Sequence, residues 1–280
     1  MSVLKIGFTD YGMNPDWFMS ILSKRYDVVR DDANPNILIF GDENFGQNNL
    51  TYDHNRVLKI FMTGENRRFY NYKCHMGITF DHIDDTLHFR IPLYIHEMHS
   101  LKNESKYDEP IDIVEKSGFA TFVVGNGTAQ RRNELFHLVN SYKTVDSGGP
   151  HLNNIGHVIA RDTRTKIDFM KTRKFHLAFE NSSYPGYVTE KILQAFYART
   201  VPIYWGSPCV DLDFNPDAFI NWHDYKNDKK FLERIIEVDN DEKLYHNMLN
   251  QPMFRNNKFL DMDIFLDWWE DNVIGRLTNG

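Results

Sequence analysis

The stretch FHLAFENSSYPGYVTEKILQAFYARTVPIYW, running from Phe175 to Trp205, decides the fold. Phe175 to Phe179 is apolar and too short for a helix, so it reads as a buried strand. Glu180 to Val188 interrupts it with ionisable residues, Pro185 and Gly186, and reads as a loop. Glu190 to Ala198 reads as a helix, with Thr189 placed to cap it. Val201 to Trp205 is a second strand. Strand, loop, helix and strand in that order make a βαβ unit, with the loop at the carboxyl end of the first strand.

The same pattern recurs upstream. Phe119 to Val124 reads as a strand, followed by Gly125-Asn126-Gly127-Thr128 and a helical segment through Asn140. In the first third, Val3 to Phe8, Ile37 to Phe40 and Val57 to Met62 read as strands. Pro15 to Tyr26 reads as a helix with Asn14 as N-cap and Pro15 in the first helical position. Apolar strands separated by helices predict parallel sheets covered on both faces. His99 to Lys116 is polar and weakly patterned, and the domain boundary is placed there. The division expected is residues 1–114, residues 115–262, and a C-terminal amphipathic helix in 263–280 that buries Phe265, Trp268, Trp269 and Val273. Two α/β domains facing each other across a cleft suit a nucleotide-containing ligand.

Composition narrows the function classes. The chain has 280 residues, 41 % hydrophobic and 25 % charged. At roughly 150 residues per domain this is a two-domain length. A disordered chain, a collagen and a coiled coil are excluded. A formal net charge of −7 argues against a general nucleic-acid binder. Two cysteines, Cys74 and Cys209, make no disulfide framework and no CxxC. The N-terminus lacks a signal-peptide core, and no apolar run approaches the roughly 20 residues of a transmembrane helix. A cytoplasmic protein, at most peripheral to a membrane, is expected.

The loop after Phe179 holds the densest chemistry. Lys191 stands in the first turn of a helix, where positive charge opposes the helix dipole. Either it pairs with Glu190 or Glu180, or it holds an anion such as a diphosphate at the helix N-terminus. Arg131 and Arg132 follow a glycine turn in a similar way, and read as a phosphate fork or as a solvated face. The turn lacks the third glycine of the dinucleotide fingerprint, which disfavours a Rossmann oxidoreductase. Glu65, in Thr63-Gly64-Glu65-Asn66 at a strand end, is either a loop carboxylate or a general base for a substrate hydroxyl. The triplets Asp211-Leu212-Asp213, Asp239-Asn240-Asp241 and Asp261-Met262-Asp263 resemble metal-binding DxD motifs, but with 39 acidic residues they are read as coincidence. His96-Glu97-Met98-His99 is one residue short of a zinc-binding HExxH.

Several stretches together carry a resemblance. They are Lys174 to Ser182 (KFHLAFENS), Gly186 to Ile192 (GYVTEKI), Val201 to Pro208 (VPIYWGSP), Asp213 to Pro216 and His223-Asp224. Upstream, Thr63 to Asn66, Arg90 to Tyr94 and Gly118 to Val123 add to it. This set resembles the signature of the α-1,3-fucosyltransferases of glycosyltransferase family 10, and is most similar to the soluble bacterial Lewis-antigen-type members. The similarity runs from about Val57 to about Tyr225.

The resemblance implies a GT-B fold, with two Rossmann-like domains, the first holding the acceptor and the second a nucleotide sugar. It implies inverting transfer of L-fucose from GDP-fucose to a hydroxyl, O3, of a GlcNAc- or glucose-containing oligosaccharide or glycoconjugate. It implies that Glu65 is the general base, that Arg132 meets the diphosphate, and that Asn181, Tyr187, Glu190 and Lys191 bind the donor. No metal cofactor is implied, Mg²⁺ or Mn²⁺ being at most a stimulant. Two alternatives stand beside this reading: another GDP-deoxyhexose as donor, and a non-catalytic nucleotide-sugar or glycan binder. The sequence carries neither the heptad-repeat tail of some bacterial members nor the membrane anchor of animal ones.

Overall fold

Two wholly parallel sheets carry the apolar strands, in a computed structural model that describes residues 3–102, 115–255 and 260–278. The chain divides into two units, Met1–Ser100 with Leu260–Gly280, and Leu101–Phe259. The boundary expected near residue 114 falls on residues 103–114, which lie outside the described ones.

The first unit contains β1 (Leu4–Thr9), α1 (Pro15–Leu22), β2 (Val28–Arg30), β3 (Ile37–Phe40), β4 (Leu58–Met62), β5 (Met76–Thr79), β6 (His88–Arg90) and α2 (Leu93–Lys102). Its sheet has the order β2-β1-β3-β4-β5-β6, all parallel. From β1 the chain goes first to one side, to β2, and then back to the other, to β3. The crevice at the carboxyl ends of β1 and β3 is therefore a topological switch point, where open α/β sheets take their ligands. All four residues of β3 are buried, as a strand covered on both faces requires. The strand Leu58–Met62 is not purely apolar. Lys59 lies inside it at 1 % exposure and donates its ammonium to the Asn49 carbonyl at 2.8 Å, the partner a buried charge needs.

Helix α1 starts where the sequence predicts. The Asn14 side chain accepts from the Asp16 amide, and Pro15 occupies the first turn, where its missing N–H costs nothing. It ends at Leu22 rather than Tyr26, because the chain then tightens, with the Lys24 and Arg25 amides donating three residues back to the Ile21 and Leu22 carbonyls.

The second unit contains β7 (Gly118–Phe122), α3 (Gln130–Tyr142), β8 (Val145–Ser147), α4 (Thr163–Met170), β9 (Arg173–Phe179), α5 (Glu190–Tyr197), β10 (Val201–Trp205), β11 (Ile220–Asn221), α6 (Trp222–Tyr225), α7 (Asp228–Asn240) and α8 (Glu242–Leu249). Its parallel sheet has the order β11-β10-β9-β7-β8, with Phe175 opposite Val201 and Phe179 opposite Trp205. The βαβ reading of Phe175 to Trp205 is thus observed. The core is built from Phe119, Phe122, Leu135, Phe175, Phe179 and Ile203 with Phe231 and Ile235 of α7. The switch point of this sheet lies between β7 and β9, since β7 leads outward to β8 and β9 outward to β10.

The C-terminal helix α9 (Met262–Trp269) belongs to the first unit and continues through a wide turn, Glu270–Ile274, into a last helical turn. Phe265, Trp269 and Val273 are fully buried, while Trp268 is only half-buried and donates its indole N–H to the Thr86 carbonyl. Phe18 of α1 meets both Phe265 and Trp269 edge to face, a favoured geometry for aromatic pairs. No helix among the described residues is long and apolar enough to cross a membrane.

Candidate active site

At the switch point of the second unit two loops leave neighbouring strands. Residues 123–129 follow β7, and residues 180–189 follow β9. Gly186 has φ +83°, a left-handed conformation that favours glycine, and its amide donates to the Ser207 hydroxyl at 2.9 Å. This fixes the loop where its chain turns toward α5.

Glu180 organises the site. Its side chain is fully enclosed. One carboxylate oxygen accepts from the Thr189 amide at 2.8 Å, and the other from the Thr189 hydroxyl at 2.7 Å and the Lys191 ammonium at 3.2 Å. Lys191 also donates to the Thr189 hydroxyl at 2.8 Å and lies 3.5 Å from a Glu190 oxygen. Both pairings that the sequence offered for Lys191 are therefore present, but the Glu180 partner is deep rather than on the surface. Burial raises the Glu180 carboxyl above its usual range, against the pull of Lys191 and Thr189. Burial would lower the Lys191 ammonium, but Glu180 and Glu190 outweigh it and keep the lysine firmly charged. Burial also works against the Glu190 carboxylate, and the Lys191 and Lys166 charges overcome it, so this acid stays below its ordinary value.

Arg132 is 3 % exposed and faces inward, not into solvent. Burial lowers its guanidinium, opposed by Glu180 and Tyr187, which places all three groups within electrostatic reach. Lys191 in turn feels the Arg132 charge. The guanidinium donates to the Asn126 carbonyl, while its Nε is enclosed and has no hydrogen-bond partner among the described residues. An enclosed cationic donor of this kind is costly unless a further acceptor meets it. Arg131 plays a different part. It pairs with Asp228 and Glu134 and lies over the Trp222 ring at 5.0 Å, tying α3 to α7.

Two further features favour an anion here. The N-cap residue of α3, Ala129, and that of α5, Thr189, give no side-chain bond to the helix's first amides, although at α5 the Glu190 carboxylate meets its own amide. The hydroxyl of Thr189 is turned to Glu180 instead. The amides at a helix start and the helix dipole make such ends attractive to phosphate. Tyr187 is buried beside these groups, and Asn181 is half-buried on the same loop with its Oδ1 accepting from Ser182. Of the residues expected to bind a donor, the structure therefore gathers Arg132, Tyr187, Glu190 and Lys191, with Asn181 on the same loop. Sequence reasoning offered Glu180 only as a surface partner for Lys191, not as the enclosed centre of the site. Its signal was present as an acid directly after a buried strand, where enclosure demands partners.

Glu65 belongs to the first unit. It follows β4 in the turn Thr63-Gly64-Glu65-Asn66 and is half-buried. Its amide donates to the Thr63 hydroxyl at 3.1 Å, and Thr63 donates to the enclosed Asp42 carboxylate at 2.6 Å. Arg68 reaches from Asp81, 3.0 Å away, to the Asn66 side chain at 2.8 Å, bracing the far side of the turn.

The acidic triplets have structural partners. Asp211 meets Arg255, Asp239 meets Lys143 and Lys174, Asp241 caps α8 and Asp261 caps α9. Among the described residues no group of three or more His, Cys, Asp or Glu is placed to hold a metal ion.

Comparison with known proteins gives concordant matches. Residues 113–257 match the family described as glycosyltransferase family 10 (fucosyltransferase) C-term. Residues 6–96 match the alpha-(1,3)-fucosyltransferase FucT N-terminal domain. An alpha-(1,3)-fucosyltransferase FucT of Helicobacter pylori is 33 % identical over 82 % of this chain and 54 % of its own length. The human 4-galactosyl-N-acetylglucosaminide 3-alpha-L-fucosyltransferase 9 is 27 % identical over 50 % of this chain and 38 % of its own. The chain spans about half the length of the Helicobacter pylori protein and less of the human one. A crystal structure of an alpha1,3-fucosyltransferase superposes with a TM-score of 0.82 at 27 % identity, covering 96 % of this chain and 89 % of that one. A crystal structure of an alpha1,3-fucosyltransferase with GDP-fucose gives 0.75 at 26 % identity, with the same coverage. The GT-B class expected from the sequence is the class of these structures.

Proposed function

Because the chain belongs to glycosyltransferase family 10, we propose that it is an inverting fucosyltransferase that moves L-fucose from GDP-fucose to O3 of a GlcNAc- or glucose-containing acceptor. The observation that carries the reading is that two inward-facing cations, Arg132 and Lys191, both lie within electrostatic reach of the enclosed Glu180 at the switch point of the second sheet, beside the N-termini of α3 and α5. That is the chemistry of a diphosphate site. The relatives' named activities and the solved complex with GDP-fucose support the choice of donor.

In the proposed reaction the acceptor oxygen attacks the anomeric carbon from the face opposite the diphosphate. The new carbon–oxygen bond forms as the bond to the β-phosphate oxygen breaks, and that electron pair leaves with GDP. Glu65 takes the acceptor's hydroxyl proton, so a single base suffices for inversion. Charge separates in the transition state, positive on the sugar ring and negative on the leaving diphosphate. Arg132, Lys191 and the amides that open α3 and α5 oppose the second of these charges as it grows. In this reading they supply the positive charge that other transferases draw from a divalent ion. Glu180 acts by holding Lys191 and Thr189 in place, since it is too enclosed to touch the sugar. Glu190 and Asn181 are proposed to meet donor hydroxyls, and Tyr187 to pack beside the diphosphate.

A donor screen tests the reading. GDP-fucose, GDP-mannose and UDP-galactose are each supplied with N-acetyllactosamine, and nucleotide release and product mass are followed. The expected result is acceptor-dependent release from GDP-fucose alone. Equal or greater turnover of another donor would assign the site to a different sugar, and no turnover of any would remove the catalytic assignment.

A further inference from the structure

The first unit has a switch point of its own, between β1 and β3, to which none of the expected donor-binding residues belongs. It is formed by residues 10–14 after β1 and residues 41–49 after β3. Phe45 stands here at 50 % exposure, the one phenylalanine among the exposed large hydrophobic residues described. Its placement is built rather than incidental. The tip of the ring rests against Gly12, where an added Cβ would lie 2.1 Å from Phe45 Cζ. Contact through the tip leaves ring surface open to solvent.

The loop that carries Phe45 is fixed at both ends. The Asp10 carboxylate accepts from the Asn48 side chain at 2.9 Å and the Asn49 amide at 2.8 Å. The Gly41 amide donates to the Asp10 carbonyl at 3.1 Å. The Phe45 amide closes a turn on the Asp42 carbonyl at 3.1 Å. A surface aromatic held this way has already met the ordering cost that binding otherwise imposes.

The same turn grips the turn that carries Glu65 on both sides. Asp42 accepts from Thr63, whose oxygen accepts from the Glu65 amide. Glu43 lies 3.1 Å from Arg67, whose own amide donates to the Glu65 carbonyl at 2.7 Å. Phe45 and Glu65 are therefore parts of one braced crest. An exposed ring and a carboxylate carried on two turns bonded to each other suit a pyranose, which presents an apolar C–H face and hydroxyl edges. We propose that Phe45 is the platform for the acceptor sugar, stacking against its C–H face so that a hydroxyl is presented to Glu65. The assignment rests on the fucosyltransferase reading for the identity of the sugar. It rests on the crest alone for the place.

The test compares wild type, Phe45→Ala, Phe45→Tyr and Gly12→Ala. Initial rates are measured against N-acetyllactosamine and GDP-fucose in turn, and acceptor binding is followed by saturation-transfer NMR with GDP present. Phe45→Ala is expected to raise the acceptor KM about three- to tenfold, the range for one lost aromatic contact. The KM for GDP-fucose stays unchanged. Phe45→Tyr retains the ring and wild-type acceptor KM. Gly12→Ala, whose methyl group takes the space of the ring tip, shifts acceptor KM in the same direction as Phe45→Ala. An unchanged acceptor KM in Phe45→Ala overturns the proposal, as does an equal rise in the KM for GDP-fucose. Loss of turnover with acceptor saturation transfer intact in the wild type would count against the catalytic reading and not against the platform. Absence of that saturation transfer in the wild type would count against the platform.

Discussion

Lys191 and Glu65 are proposed to have opposite tasks, one on the diphosphate and one on the acceptor proton, and substituting each separates them. Lys191→Ala removes a charge-assisted donor from the diphosphate site. Such bonds are worth about 1.5–3 kcal/mol, so GDP should bind roughly ten- to a hundredfold more weakly by calorimetry. Glu180 keeps both Thr189 donors in that variant, which preserves the loop. An unchanged GDP affinity would remove Lys191 from the site. Glu65→Gln should do the reverse, leaving GDP affinity intact while lowering kcat by about 10²- to 10⁴-fold, the usual contribution of a general base. Full activity in that variant would disqualify Glu65. The sequence showed both residues as candidates, Glu65 as an acid just past a buried strand and Lys191 as a cation in the first turn of a helix. It could not show that Arg132 faces inward while Arg131 faces α7. Adjacent arginines on a helix differ only by their angle around it, and that angle is fixed by Asp228 and Trp222, which lie nearly a hundred positions along the chain.

Among the elements, those with long apolar runs were legible and those of two or three residues were not. β9 and β10 declare themselves by their mostly apolar five-residue stretches, Phe175 to Phe179 and Val201 to Trp205. β2, β6 and β11 have three, three and two residues, too few for any period to emerge. They exist because a neighbouring strand supplies hydrogen-bond partners. Polar residues inside strands were equally hidden. His176 in β9 is 2 % exposed beside the Thr121 hydroxyl, and His88 in β6 is 4 % exposed beside Thr79. Burial holds both imidazoles neutral, pushing His176 down to about 3 and His88 down to about 4. The unfolded chain takes up these protons near pH 6.5 and the folded chain does not. Their contribution is therefore intact above pH 6.5 and is lost as pH falls toward 4 for His88 and toward 3 for His176. The loss is on the order of 3 kcal/mol for His88 and on the order of 5 kcal/mol for His176. In His176→Asn, whose amide can replace the bond to Thr121, the fall in unfolding free energy between pH 6.5 and 4 should become shallower. An unchanged slope in urea titrations would show that His176 does not carry the acid sensitivity.

For the molecule as a whole, the sequence announced two parallel α/β sheets through apolar strands alternating with helices. It placed the densest chemistry in the loop that the structure sets at one switch point. The first unit's switch point went unread, because Phe45 looks like any loop aromatic until Gly12 and Asp42 are seen beneath it. The C-terminal helix was legible as a helix but not as part of the first unit. Its partner Phe18 is some 250 positions away in the chain, and only packing brings them together. The diphosphate is proposed to bind the second unit and the acceptor proton to pass to Glu65 of the first. A crystal structure of this chain with GDP tests that assignment most directly. It should show diphosphate oxygens within hydrogen-bonding distance of Arg132 and Lys191, at the amino ends of α3 and α5. A nucleotide seated elsewhere, with those two side chains still turned to their present partners, would contradict it.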